Sequence, residues 1–154
     1  MAKPILILYG SVTGNAEYCA EKIAREARAR GYDPTLENMV ATEPDVLTAF
    51  DTVLLITSTF GDGEPPSGTE DFHHGIVKKP TLRFPGLYFS VLALGDTYYE
   101  QFCQCGKEYD AALEKLGGNR IYPRLDCDTD FEEGCEAWMD GVFAVLAEER
   151  LMAA

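Results

Sequence analysis

The sequence lacks long hydrophobic runs, and basic residues are scarce in it. Its longest apolar stretches are about six to eight residues, whereas a membrane-spanning helix needs roughly 20. The 154 residues include 13 Lys and Arg against 26 Asp and Glu, which gives a formal net charge of -13. A chain this acidic repels nucleic-acid phosphates and anionic membranes, so the composition argues against both ligands and favours a basic partner.

Two signals of an extracytoplasmic or metal-binding protein are also missing. The first apolar run leads into Gly10 and Ser11 without a cleavage pattern, so it is interpreted as a strand and not as a signal peptide. The five cysteines form no CxxC pair, and the Cys103 and Cys105 spacing is too little to indicate a metal site. Reduced thiols, and hence the cytoplasm, are the expectation.

Alternation of strand and helix patterns predicts the fold class. Continuous apolar runs predict buried strands, and apolar residues at helical spacing predict the helices between them. The predicted strands are 3–9, 34–39, 52–58, 87–94 and 120–125, and the main predicted helices are 16–30, 69–77, 102–116 and 131–151. This order predicts one α/β domain over 1–154, a doubly wound, three-layer sandwich with a five-stranded parallel sheet of order 2-1-3-4-5.

Ligands of such sheets bind at the carboxyl ends of the strands, so the loops after Tyr9, Ser58, Leu94 and Leu125 are the candidates. The first loop, 10–16, joins glycines, hydroxyls and an amide at a helix N-terminus, where free N–H groups bind anions. No Lys or Arg lies between positions 4 and 21. A phosphate here would be held by dipoles and not by counter-charge.

Other phosphate-binding motifs do not match this loop. A Walker A loop requires a Lys that is absent, and Gly10 and Gly14 are too far apart for the GxGxxG pattern. The loop also lacks the Cys and Arg of a phosphatase turn and the acidic residues of a phospho-accepting receiver domain.

The loops 57–67 and 94–103 share a second pattern. Each has glycines, hydroxyls and an aromatic residue at the end of a predicted buried strand. An aromatic residue on a glycine-rich loop has no core role, which suggests a flat ligand stacked against it.

Three motifs together resemble those of flavodoxins over nearly the whole chain. They are Gly-Ser-x-Thr-Gly-Asn at 10–15, Ser-Thr-Phe-Gly-Asp-Gly-Glu-Pro at 58–65 and Leu-Gly-Asp-x-x-Tyr-x-x-Phe-Cys at 94–103. The run 94–107 and the Trp138 helix are most similar to the FMN domains of sulfite reductase and other diflavin reductases. The length and the predicted uninterrupted last strand are similar to short-chain flavodoxins.

The resemblance implies a flavodoxin-like fold with FMN as the cofactor, no metal and no catalytic residues. Tyr99 matches the stacking tyrosine of the family, and either Asp128 or Asp126 matches its acidic residue after the last strand. Cys103 is interpreted as a packing residue beside the flavin. The implied cofactor-binding residues are Ser11, Val12, Thr13, Gly14, Asn15 and Ala16 for the phosphate; Ser58, Thr59, Phe60, Gly61, Asp62 and Gly63 on one side of the ring; and Leu94, Gly95, Asp96, Tyr99, Phe102, Cys103 and Asp128 on the other.

Charge near these loops predicts a low-potential electron carrier. Residues 126–136 include six acids and no base, and acids are the only charged residues in 59–77. Negative charges around the ring disfavour further negative charge on it, and they steer basic partners. The expected partners are an NADP reductase of flavodoxins or ferredoxins as donor and a metalloprotein or haem enzyme as acceptor, with the carrier a monomer.

Two alternatives remain open. One is an FMN-dependent NAD(P)H or quinone reductase of the same fold, although no acid, base or nucleophile cluster accompanies the loops. The other is the FMN domain of a larger diflavin reductase. The start at Met1 and the short tail after Arg150 favour the independent carrier.

Overall fold

The computed structural model describes the backbone of residues 3–153 and the side chains of residues 3–148. Its sheet is parallel, and strands follow one another in the order β2-β1-β3-β4-β5, with β6 also paired to β4. The predicted order is therefore confirmed. The strands are β1 (Lys3–Gly10), β2 (Tyr32–Asn38), β3 (Thr52–Ser58), β4 (Tyr88–Leu94), β5 (Asn119–Arg120) and β6 (Leu125–Cys127).

The last strand position is filled by two short segments. β5 pairs with the start of β4 and β6 pairs with its end. The prediction of an uninterrupted strand over 120–125 is wrong in its middle, where Pro123 has no N–H to give to a ladder. There the Ser90 hydroxyl donates to the Tyr122 carbonyl at 2.9 Å and accepts from Trp138 Nε1 at 3.0 Å.

Four α-helices of the described residues cover the two faces of the sheet: α1 (Asn15–Ala29), α2 (Glu70–His73), α3 (Gln104–Lys115) and α4 (Phe131–Ala153). Short 3₁₀ helices also occur at Met39–Ala41 and Pro44–Ala49. The predicted helix 69–77 has two parts, because α2 continues as a π-helical turn over His74–Lys78. α3 begins two residues later than predicted, since Cys103 adopts a left-handed conformation with φ 55°. β2 begins two residues earlier than predicted, and as an edge strand it tolerates Pro34.

Alternate side chains of the buried strands divide the core into two layers. Ile5 and Ile7 of β1 pack in the layer formed with α1 and α4, whereas Leu6 and Leu8 pack in the layer formed with α2 and α3. Because all strands are parallel, their carboxyl ends meet at one edge of this sandwich. No helix in the described part of the chain is both long and apolar enough to cross a membrane.

Candidate functional site

A cleft of about 470 Å³ opens at the carboxyl edge of the sheet. The ends of β1, β3, β4 and β6 each contribute to it, so all four loops predicted from the sequence meet there. It is lined by Val12, Thr13, Asn15, Ser58, Thr59, Phe60, Gly61, Leu94, Gly95, Asp96, Tyr99, Asp128, Thr129 and Phe131.

The loop after β1 forms one end of the cleft. Gly14 is the N-cap of α1 with φ 93°, a conformation that favours glycine, and its N–H donates to Ser11 Oγ at 2.8 Å. Thr13 and Asn15 are exposed and line the cleft, whereas Ala16 is buried in the core. Ser11, Gly14 and Ala16 therefore shape the loop from behind its lining residues. The Ser11 hydroxyl keeps its own proton to donate.

The loop after β3 is a tight turn on one side of the cleft. The backbones of Phe60 and Glu64 exchange two hydrogen bonds, of 2.6 and 2.9 Å, and Gly61 has φ 51°. Phe60 lines the cleft with 46% of its surface exposed. Asp62 and Gly63 do not line the cleft; the Asp62 carboxylate instead accepts from the Gln101 N–H at 2.7 Å. The hydrogen bond to Asp62 thus links the loop after β3 to the loop after β4.

The loop after β4 forms the opposite side, with Tyr99 exposed over 39% of its surface. Two residues of this loop that are predicted to contact the cofactor do not line the cleft. Phe102 is half-buried and lies 5.8 Å from the Lys107 ammonium, measured to the ring centroid. Cys103 is fully buried behind Gly95.

The Cys103 thiol packs against backbone carbonyls beneath the cleft. It lies 3.5 Å from the Ala93 carbonyl and 3.6 Å from that of Cys127, which also accepts from the Gly95 N–H at 2.9 Å. Burial raises the pKa of the Cys103 thiol to about 12, so it stays protonated and can donate to these carbonyls. Cys103 joins the ends of β4 and β6 beneath the cleft.

The loop after β6 supplies an acidic residue, and the structure distinguishes the two sequence candidates. Asp128 lines the cleft, whereas Asp126 accepts from Arg124 Nε at 2.8 Å. The Asp128 carboxylate accepts from the Thr97 hydroxyl at 2.6 Å and from the N–H groups of Thr97 and Thr129 at 3.1 and 2.8 Å. These hydrogen bonds hold the pKa of Asp128 below its ordinary value, and the bond from the Thr97 hydroxyl contributes most.

Sequence reasoning missed Thr129 and Phe131, which both line the cleft. Phe131 is the first residue of α4, and its ring meets that of Tyr18 edge-on at 6.1 Å between centroids. The sequence pattern predicts Phe131 only as the first residue of the last helix; its position directly after an acidic loop was the available signal that it faces the cleft.

The chemistry of the cleft fits FMN. Exposed N–H groups and hydroxyls at the start of α1 suit a phosphate. Phe60 and Tyr99 present aromatic rings without a core role, which suits a flat heterocycle. No Lys or Arg is among the lining residues, so both ligand parts meet dipoles and acids and no cation.

Comparison with known proteins supports the same conclusion. The family model for flavodoxin matches residues 7–138. The sulfite reductase [NADPH] flavoprotein alpha-component of Bacillus subtilis (strain 168) is 43% identical over 148 residues, 96% of this chain and 24% of that protein. The same component from Shewanella sp. (strain MR-4) is 38% identical over 145 residues, 94% of this chain and again 24% of that protein. The chain therefore spans about a quarter of the length of these curated relatives.

Solved structures of flavodoxins superpose over nearly their full length. The flavodoxin of Streptococcus pneumoniae TIGR4 has a TM-score of 0.82 at 25% identity, covering 94% of this chain and 99% of that one. Oxidised flavodoxin 2 from Bacillus cereus has a TM-score of 0.80 at 30% identity, covering 96% and 99%. The chain belongs to the flavodoxin family, and it is an FMN-binding electron-transfer protein.

Proposed function

We propose that this chain carries single electrons at low potential between protein partners, with FMN held in the cleft at the carboxyl edge of the sheet. FMN supplies the redox chemistry when bound, and the chain positions it and sets its electrostatic surroundings. One observation carries the proposal: a cation-free cleft joins a helix N-terminus to two exposed aromatic rings at an acidic edge.

The start of α1 would hold the phosphate. The Thr13 and Ser11 hydroxyls and the N–H groups of residues 13, 15 and 16 would be the donors at this end of the cleft, since the Gly14 N–H is bonded to Ser11 Oγ, and the helix dipole favours an anion there. Charge-assisted hydrogen bonds to these donors would replace the Lys or Arg that other phosphate sites use.

The aromatic residues would enclose the ring, with Phe60 on one side and Tyr99 on the other. Both line the cleft from different loops. The bond from the Gln101 N–H to Asp62 joins those two loops, and the bonds from Thr97 to Asp128 join the loop after β4 to the loop after β6. The walls of the cleft are thereby fixed before the ligand arrives, which reduces the ordering cost of binding.

Negative charge around the cleft would lower the potential at which the ring accepts its second electron. Asp96 and Asp128 line the cleft, and Asp62, Glu64 and Glu100 are exposed on the same loops. Adding negative charge to a ring among carboxylates is disfavoured, which makes the reduced protein a strong donor. The same charges select partners with a basic docking face.

We infer a carrier and not an enzyme in its own right. The side chains that line the cleft include no Cys, His or Lys, and its two carboxylates, Asp96 and Asp128, both accept backbone N–H bonds. A second candidate is the FMN domain of a longer diflavin reductase, which the 43% identity to a quarter of such a flavoprotein favours. In both cases the domain over 1–154 performs the same electron transfer.

The proposed setting is a cytoplasmic monomer. Five free cysteines, all buried, fit a reducing compartment. An NADP reductase of flavodoxins or ferredoxins would be the donor, and a metalloprotein or haem enzyme would be the acceptor.

A coupled assay distinguishes carrier from enzyme. The purified FMN-loaded protein is mixed with NADPH and cytochrome c, with and without ferredoxin–NADP reductase. A carrier reduces cytochrome c only when the reductase is present, at a rate proportional to its own concentration. Turnover of NADH or NADPH with a quinone by the protein alone, at comparable rates, would instead establish the reductase.

A further inference from the structure

Three of the six large apolar side chains that are exposed in the described residues line the cleft, and a fourth, Tyr98, is next in sequence to a lining residue but does not line it. Tyr98 is 85% exposed, while its neighbour Tyr99 is 39% exposed and lines the cleft. The large apolar side chains exposed in the described part of the chain are Val12, Tyr18, Val40, Phe60, Tyr98 and Tyr99. Tyr98 therefore places an aromatic ring in solvent beside the cleft and outside its lining.

The turn that carries Tyr98 is fixed by hydrogen bonds. The Tyr98 N–H donates to the Asp96 carboxylate at 2.9 Å, and the Tyr99 N–H donates to the Asp96 carbonyl at 3.1 Å. Thr97 is bonded to Asp128 through both its N–H and its hydroxyl. The Tyr98 ring meets the Tyr99 ring edge-on, with 5.2 Å between centroids. The backbone that carries the ring is therefore ordered before a partner arrives, which reduces the ordering cost of docking.

The charges beside Tyr98 are all negative. Asp96 and Glu100 lie two positions before and after it, and no Lys or Arg occurs between Arg83 and Lys107. The face of an aromatic ring attracts cations, and nearby carboxylates strengthen that attraction. A guanidinium stacks on such a ring while it bonds carboxylates, and a lysine packs its aliphatic stem there.

We propose that Tyr98 is an aromatic contact of the docking face and receives an arginine or lysine side chain of the redox partner, guided by Asp96 and Glu100. The inference rests on the proposed function, because it assumes that partners approach at the FMN edge. It assigns short-range recognition to one ring, whereas the acidic rim supplies long-range steering.

Cytochrome c whose iron is replaced by zinc is a suitable probe, because it is basic and cannot accept electrons from the protein. Its dissociation constant is measured by NMR titration against the FMN-loaded protein at 0.1 M salt. The variants are Tyr98→Phe, Tyr98→Leu and Tyr98→Ala, and Val40→Ala is the control because Val40 is 56% exposed and lies outside the cleft lining, in the 3₁₀ turn Met39–Ala41 after β2. FMN affinity and the midpoint potentials are measured for each variant.

Tyr98→Leu and Tyr98→Ala should each raise the dissociation constant about two- to fivefold, the worth of an exposed cation–aromatic contact. Tyr98→Phe and Val40→Ala should bind as the parent does, and FMN affinity should be unchanged in all four. The inference is overturned if Tyr98→Leu binds like the parent, since the ring would then matter only as apolar surface. It is also overturned if Tyr98→Ala is neutral or if Val40→Ala loses as much.

Measurements on the parent protein distinguish a failure of the proposed function from a failure of the role of Tyr98. If the parent neither retains FMN nor reduces native cytochrome c, the proposed function has failed. If the parent does both while the Tyr98 variants match it in zinc cytochrome c binding, only the role of Tyr98 has failed.

Discussion

Asp110 of α3 and Asp128 of the cleft are carboxylates with different hydrogen-bond partners: arginines bind the first, and N–H and hydroxyl groups bind the second. Asp110 of α3 is buried, and it accepts from Arg120 Nε at 2.8 Å and Arg124 Nη1 at 2.9 Å. Asp128 at the cleft accepts only from Thr97 and Thr129. Two arginines offset the negative charge of Asp110, whereas the donors to Asp128 are uncharged and leave its negative charge in place.

The difference shows how one acidic chain separates stability from function. Arg124 Nε also donates to the Asp126 carboxylate at 2.8 Å, so this arginine offsets negative charge two residues before Asp128. At the cleft the carboxylates are bound by N–H and O–H dipoles, which fix their positions without cancelling their charge. The uncancelled charge then acts on the bound ring and on approaching partners.

Removing the neutralised carboxylate should have the largest effect on stability. Asp110→Asn leaves two arginines without their shared anion, and because these are partly exposed we expect the free energy of unfolding to fall by about 2–3 kcal/mol. Urea denaturation of the apoprotein measures it. Asp140→Asn, which loses an exposed bond to Arg30, is the control and should cost at most about 0.5 kcal/mol. An Asp110→Asn protein as stable as the control would remove the contrast.

The sequence predicted the fold well because strand and helix patterns are local. The strand at 52–58 is buried along its whole length and was placed without error. The last strand is broken at Pro123, and the residues that bind there in place of a ladder are distant in sequence: Ser90 donates to the Tyr122 carbonyl, and Trp138 donates to Ser90.

Loop motifs predicted where the candidate site lies, but they did not predict which side chains line it. Motifs identify which loops meet at an edge, but not which side chains face the ligand. Cys103 is predicted to contact the cofactor, but it has a left-handed backbone conformation and lies fully buried behind Gly95. Phe131 is predicted only as the first residue of the last helix, and it lines the cleft.

Tyr99→Ala should have the largest effect on cofactor binding. Loss of the ring should weaken FMN binding by about 1–3 kcal/mol, the range for stacking of a base on an aromatic side chain. The midpoint potential of the second electron should rise, since added charge on the ring becomes better solvated. Fluorescence titration of the apoprotein and potentiometry measure both. Tyr99→Phe keeps the ring and should behave as the parent; an unchanged potential in Tyr99→Ala would place Tyr99 away from the flavin.

Asp128→Asn tests the carboxylate that keeps its charge. A lowered pKa in the folded state means that ionised Asp128 stabilises the fold fully above its ordinary pKa of 3.8. That contribution is lost as the pH falls through the lower value in the folded protein. The difference in unfolding free energy between parent and Asp128→Asn should be constant above about pH 5 and shrink below pH 3.8. A difference that stays constant down to pH 3 would contradict the assignment.

The acidic rim should have the smallest effect, and it should be confined to partner kinetics. Glu64→Gln with Glu100→Gln should flatten the salt dependence of electron transfer to cytochrome c beyond about 0.1 M, where the Debye length is near 10 Å. FMN affinity should change little. The matched control is Asp33→Asn with Asp51→Asn, which removes two charges near the opposite edge of the sheet. If both double variants respond alike, only net charge matters and the docking surface lies elsewhere.

The salt dependence of FMN binding to the apoprotein tests the central claim most directly. A phosphate held by dipoles alone, in a chain of net charge -13, is repelled by the protein at long range, and salt screens that repulsion. The FMN affinity should therefore rise between low salt and about 0.3 M, while the affinity for riboflavin, which has no phosphate, should change little. An FMN affinity that falls as salt increases would mean that a cation holds the phosphate, and it would contradict the assignment of the cleft.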